Sequence, residues 1–334
     1  MAPGQAGAVR AHAHGILDAI GRTPLVRLER LFAGSRLEVY AKLEALNPGG
    51  SLKDRPALTM IRSAMERGQL RPGMTVVESS SGNLAIGLAQ ACRFHDLRLV
   101  CVVDARTAPH NVAILRAFGA EVEVITEPDP ETGEFLPARL RRVTELLARR
   151  PFAVWLNQYA NRDNPLSHRQ TMGEILDALD GRLDYLVCAT STCGTLRGCA
   201  EHLREIGAST RVVAVDAVGS VIFGRPAAGR LVPGHGASVR PDLYGPDLAH
   251  HVVHVDDLGC VVGCRRLVRR EAVLAGGSSG AVVMGLTRLA AEIPAGARCA
   301  LILPDRGERY LDTIYSDEWV SERFGDVAHL WASD

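Results

Sequence analysis

From about residue 37 onward, short apolar β-rich runs alternate with helical patterns, and this alternation restricts the possible fold more than any other feature of the chain. The predicted strands are 38–42, 75–78, 97–103, 121–125, 153–156, 185–189, 212–216 and 299–303. Helical periodicity covers 56–67, 83–94, 111–118, 138–149, 165–179, 194–206, 258–271 and 279–292. Strands separated by helices pair in parallel, and strands that are apolar along their whole length are buried on both faces. The expectation is an α/β fold of open, twisted, mainly parallel sheets flanked by helices. Two such units follow one another, one over about 50–159 and one from about 161. With 334 residues there is enough chain for one large or two modest domains. The segment 223–244 is rich in Gly, Pro and Arg and is expected to be a long ordered loop, of a kind that often carries function.

The formal net charge is zero, which argues against nucleic acid or a membrane surface as a partner held by bulk charge. No apolar run approaches a membrane span, and residues 1–14 lack the apolar core of a signal peptide. Those first residues are read as a flexible tail. Eight cysteines are present and none forms a CxxC pair; most sit in apolar runs such as Val100-Cys101-Val102. They are expected to be buried free thiols in a reducing cytoplasm, with no metal site.

Four turn-rich segments carry the chemistry. In Asn47-Pro-Gly-Gly-Ser-Leu-Lys53-Asp54-Arg55-Pro56 a turn runs into a helix, Pro56 suits the first helical turn, and Ser51 and Asp54 have capping-box spacing. A lysine fixed at such a junction can form an imine with an aldehyde, although a lone lysine near a helix start is usually a solvated surface charge. Glu78-Ser-Ser-Ser-Gly-Asn83 lies between a strand and a helix, where hydroxyls and the positive end of the helix suit a carboxylate. Its plainer reading is a serine helix cap. In Ala189-Thr-Ser-Thr-Cys-Gly194-Thr195-Leu-Arg-Gly198 small residues let backbone N–H groups approach a phosphate. That segment has neither the lysine of a P-loop nor a GxGxxG, which disfavours a dinucleotide enzyme. Leu274-Ala-Gly-Gly-Ser278-Ser279-Gly280-Ala281 is a further small-residue turn before a helix. A serine there can hydrogen-bond an unprotonated pyridine nitrogen and leave the ring a moderate electron sink, or can simply cap the helix.

Together these segments resemble the fold-type II pyridoxal 5'-phosphate enzymes of the cysteine synthase family. Gly21-Arg-Thr-Pro-Leu-Val-Arg27, Asn157-Gln158-Tyr159-Ala-Asn161 and Pro304-Asp-Arg-Gly-Glu-Arg-Tyr310 extend the match in family order, from about residue 15 to 320. The resemblance implies that Lys53 carries the cofactor as a Schiff base and moves the substrate Cα proton. It implies that Asn83 bonds the ring hydroxyl and that Thr190, Ser191, Thr192, Cys193, Gly194 and Thr195 hold the phosphate. Ser278 would partner the ring nitrogen, and Ser80, Ser81, Gly82, Asn83 and Gln158 would grip the α-carboxylate. The resemblance further implies a homodimer, with residues 15–49 and 161–334 as the larger domain and 50–160 as a smaller mobile one.

One departure stands out, since Leu84 occupies a position where ordinary members carry a threonine. Residues 215–224, 233–241 and 307–320 are similar to a branch of the family that joins O-phospho-L-serine to the amino group of L-glutamate. That resemblance implies small amino acids as partners and a β-replacement. Tyr159, Arg139, Arg225, Arg240, Gly219 and Ser220 are the candidates for holding phosphate and the second dicarboxylate. A sulfhydrylase that makes cysteine, and an interaction protein that has kept the fold but lost catalysis, are the competing expectations.

Overall fold

The computed structural model describes residues 13–131 and 133–332, so most of the predicted tail 1–14 lies outside the described residues. In chain order the elements are β1 (Leu25–Arg27), β2 (Glu38–Leu43), α1 (Asp54–Glu66), β3 (Thr75–Ser79), α2 (Asn83–Phe94), β4 (Arg98–Asp104) and α3 (Pro109–Ala117). There follow β5 (Glu121–Ile125), α4 (Phe135–Arg149), β6 (Ala153–Trp155), α5 (Asp163–Ala178), β7 (Tyr185–Ala189), α6 (Gly194–Glu205), β8 (Arg211–Ala217) and β9 (His251–Val255). The last are α7 (Asp257–Glu271), α8 (Gly277–Leu289), β10 (Arg298–Leu303), α9 (Asp317–Phe324) and the single turn α10 (His329–Ala332).

Two sheets result, as the alternation of strands and helices requires. One has four parallel strands in the order β5-β4-β3-β6, and the other has six in the order β1-β2-β10-β7-β8-β9. In the larger sheet only β1 runs antiparallel to its neighbour. The uniformly apolar strands follow from burial of both faces. Val187, Val213, Val215 and Leu301 pack into one core with α7 and α8. Their sequence neighbours Leu186, Val212, Ala214 and Ile302 pack into another with α5 and α6. The smaller sheet repeats this, with Val76, Leu99 and Cys101 under α1 and α2 and Val77, Val100 and Val102 under α4.

All eight predicted strands and all eight predicted helices are present, with ends shifted by a few residues. β1, β9, α9 and α10 were not anticipated. β1 has three residues, β9 is an edge strand interrupted by His251 and His254, and α9 has only two turns, capped by the Ser316 hydroxyl accepting from Trp319 N–H. The capping box at the start of α1 does not form. Ser51 is paired with Asp305 in a short bridge, its hydroxyl accepts from Lys53 N–H, and the Asp54 carboxylate turns to Gly49 N–H instead. All eight cysteines are free and buried. Among the described residues no helix is long and apolar enough to cross a membrane.

Candidate active site

In an open parallel sheet a ligand site forms where the strand order reverses, beyond the carboxyl ends of the two strands involved. The smaller sheet reverses between β3 and β6, and the larger between β7 and β10. Both crevices open into the same pocket. Ser80 and Asn83 reach it from the loop after β3, Gln158 and Tyr159 from the loop after β6, Ser191 to Thr195 from the loop after β7, and Pro304 from the end of β10. Lys53, Leu84, Gly234 and Ser278 also line it, with Leu52, Ala189 and Leu196.

Lys53 is therefore a pocket residue and not a surface charge. Desolvation lowers its pKa to about 8, so a neutral amine is accessible near physiological pH. Its junction is held rigidly from behind. Arg55 pairs with Glu44 at 2.7 Å and with Glu174 at 2.7 Å, and Glu174 also meets the fully buried Lys42 at 2.7 Å. Two cations and two carboxylates thus compensate one another beneath α1, which is the condition for keeping charges buried.

The loop after β7 is closely built. Cys193 adopts the left-handed conformation (φ 62°) just before α6. A side chain at Gly194 would place its Cβ 2.2 Å from Asn164 Oδ1, so only glycine fits. Asn164 Nδ2 donates to Gln158 O (2.8 Å) and Thr192 Oγ1 (3.2 Å), tying this loop to the one after β6. Thr195 Oγ1 lies 3.3 Å from His168 Nε2; His168 is fully buried, and desolvation holds it neutral. Thr190 does not line the pocket; its hydroxyl donates to Val215 O and to Asp216. The N–H groups of the first turn of α6 have no intrahelical acceptor and face whatever enters here.

On the opposite wall, burial pushes Glu78 up to about 7, and one of its oxygens has no partner. Asn83 Nδ2 donates to Asp305 at 2.8 Å, and its Oδ1 accepts from Arg309. Ser81 and Gly82 stand beside the pocket without lining it, Ser81 O accepting from Asn111. Arg139 pairs with Asp104 at 3.4 Å, while Arg139 and Arg230 both act on half-buried Tyr159, their charge opposing the rise in its pKa.

The remaining candidates do not reach the pocket. Ser220 is fully buried and its hydroxyl accepts from Ala237 N–H; Gly219 backs onto Ala228; Arg240 donates to Ile222 O and stacks over Tyr244; Arg225 is exposed. The long loop contributes Gly234 instead, facing Ser278, within the segment 233–241 that the resemblance had already singled out. Sequence reasoning also missed Asn164, His168, Arg230 and Asp305. None sits in a strand-to-helix turn next to a predicted strand except Asp305, whose motif was noticed without a role.

Residues 16–305 match the family described as "Pyridoxal-phosphate dependent enzyme". The chain belongs to that family. Over 310 residues it is 51% identical to the N-(2-amino-2-carboxyethyl)-L-glutamate synthase of Ralstonia nicotianae, covering 92% of this chain and 91% of the relative. It is 47% identical to the enzyme of the same name from Cupriavidus metallidurans, with the same coverage. Among solved structures it resembles O-ureido-L-serine synthase, with a TM-score of 0.85 and 33% identity over 93% of this chain and 99% of that one. As a pyridoxal-phosphate enzyme the chain has a site that suits its cofactor. A desolvated lysine, a side-chain-free helix N-terminus at Gly194, and a serine across from Gly234 match the needs of an aldehyde, a phosphate and a ring nitrogen.

Proposed function

We propose that the chain replaces the β-substituent of an O-activated L-serine, O-phospho-L-serine, with the amino group of L-glutamate, giving N-(2-amino-2-carboxyethyl)-L-glutamate. The observation that carries this reading is the 51% and 47% identity, over 92% of the chain, to two relatives of that name, on a pocket lined by Lys53 with two arginines acting on Tyr159. When bound, pyridoxal phosphate supplies an aldehyde that captures the substrate amine and a ring that acidifies its Cα hydrogen.

The protein's own groups do the rest. Lys53 Nζ takes the Cα proton as a neutral, desolvated base and returns it after the nucleophile has joined Cβ. Thr192, Gly194 and Thr195 hold the cofactor phosphate, and Ser278 accompanies its ring nitrogen. Ser80 and Gln158 take the α-carboxylate, with Ser81 beside them outside the lining. Arg139 and Arg230, whose charges both act on Tyr159, suit the leaving phosphate and the carboxylates of glutamate. Leu84, buried in the wall, puts an apolar group where a hydroxyl would otherwise grip the amino acid. The same reading makes residues 50–160 a smaller mobile domain working against 15–49 and 161–334. It makes the active unit a homodimer in the cytoplasm, an environment that suits eight buried reduced cysteines.

Product analysis by mass spectrometry tests the reading. The holoenzyme is supplied with O-phosphoserine or O-acetylserine and with glutamate, other amines or sulfide. The expected product is the glutamate adduct of O-phosphoserine; rapid formation of cysteine without that adduct would replace the proposal with a sulfhydrylase.

A further inference from the structure

Segment 304–307 touches the turns that carry Lys53, Asn83 and Ser278. Pro304 O accepts from Leu52 N–H at 2.7 Å, beside Lys53. Asp305 pairs with Ser51, and Asp305 O accepts from Gly276 N–H at 3.1 Å, two residues before Ser278. Arg306 pairs with Ala275, and Gly307 N–H donates to Leu274 O. The Asp305 side chain is fully enclosed here. Its Oδ2 accepts from Tyr310 Oη at 2.6 Å and from Asn83 Nδ2 at 2.8 Å, whereas Oδ1 has no partner. A Cβ on Gly276 would lie 2.1 Å from that Oδ1, so the packing around the carboxylate leaves no room to turn it.

A carboxamide can be flipped, and its two ends offer opposite chemistry: Nδ2 donates and Oδ1 accepts. A carboxylate oxygen already receiving a tyrosine hydrogen can take only a donor from Asn83. A proton added to the carboxyl goes to the free Oδ1 and leaves Oδ2 an acceptor, so the constraint survives protonation. Arg309, donating to Asn83 Oδ1, enforces the same orientation from the other end. Asn83 Nδ2 carries two hydrogens, and Asp305 uses one.

We propose that Asp305 is a positioning residue: it fixes the carboxamide of Asn83 so that the second Nδ2 hydrogen is the group offered to the cofactor's ring oxygen, and thereby keeps the imine at Lys53 protonated. This rests on the reading of Lys53 as the imine-forming lysine. Donation to the ring oxygen favours its anionic form, which holds the imine proton; a flipped amide would present an acceptor and repel it.

The test is the absorption spectrum of the reconstituted holoenzyme at fixed pH. In Asp305→Asn, and in the smaller Asp305→Ser, the ratio of the long-wavelength protonated-imine band to the short-wavelength band is expected to fall by about 10-fold, the scale set by losing a hydrogen bond to a charged group. In an Asn83→Ala background the same substitutions are expected to leave the ratio unchanged, because Asp305 acts only through Asn83. An unmoved ratio in both single variants overturns the proposal, as does an equal shift without Asn83. No imine band in the unsubstituted protein would overturn the reading of Lys53 itself and is told apart from the other outcomes by that control.

Discussion

In the loop after β7, Thr190 donates to Val215 O and Asp216, Thr192 accepts from Asn164, and Thr195 meets neutral His168. At the end of β3, before its loop, the Ser79 hydroxyl and one oxygen of Glu78 are buried without partners, and Asn83, at the start of α2, is held by Asp305 and Arg309. The two loops follow equivalent strands at equivalent switch points of their sheets. The difference teaches a division of labour. On the proposed assignment, a cofactor that stays bound through every turnover is met by a cradle whose hydroxyls are already fixed. On the same assignment, a substrate that comes and goes is met by the segment that follows a strand end with unpartnered polar groups, kept at some cost in stability.

Removing the residue that serves both loops should have the largest effect. Lys53→Ala is expected to lower kcat by about 10³-fold or more, as loss of a positioned base does, and to abolish the protonated-imine band. Gly194→Ala strikes the fixed side. Its methyl group meets Asn164, so the equilibrium dissociation constant for pyridoxal phosphate should rise by about 100-fold, read by cofactor fluorescence. Ser80→Ala strikes the uncommitted side: KM for the serine substrate should rise by about 10-fold, the worth of one hydrogen bond to a carboxylate, with cofactor affinity unchanged. Equal effects of these two substitutions on cofactor affinity would break the comparison.

The smallest expected effect concerns Glu78. Its folded-state pKa is raised from 4.5 to about 7 by burial. Between those values the folded protein holds a proton that the unfolded chain has released, so this group's contribution to stability falls as pH rises through the window. Glu78→Gln is therefore expected to be more stable than the parent at pH 8 by about 1–3 kcal/mol in urea denaturation, with the gap narrowing at pH 5.

The sheets were legible because Leu186 and Val187, facing opposite cores, are both apolar, and that doubling marks a strand covered on two sides. Lys53, Asn83, Gly194 and Ser278 were legible because each sits in a turn of small residues beside a strand or a helix start. Asn164 and His168 were not. They lie inside α5, where a polar residue on the buried face carries no local signature, and only the approach of α6 at Gly194 and Gly198 gives them a purpose. Ser220 and Arg240 failed as pocket residues for the converse reason. A hydroxyl or guanidinium in a Gly/Pro-rich loop can serve the loop itself, as Ser220 does for Ala237 and Arg240 for Ile222.

The division between the two loops is tested most directly by amide hydrogen exchange on the holoenzyme, with and without O-phosphoserine. Protection is expected to rise in residues 79–84 on adding the substrate while 190–195, already slow, stay unchanged. A substrate-dependent change confined to 190–195, or equal in both loops, would contradict the account.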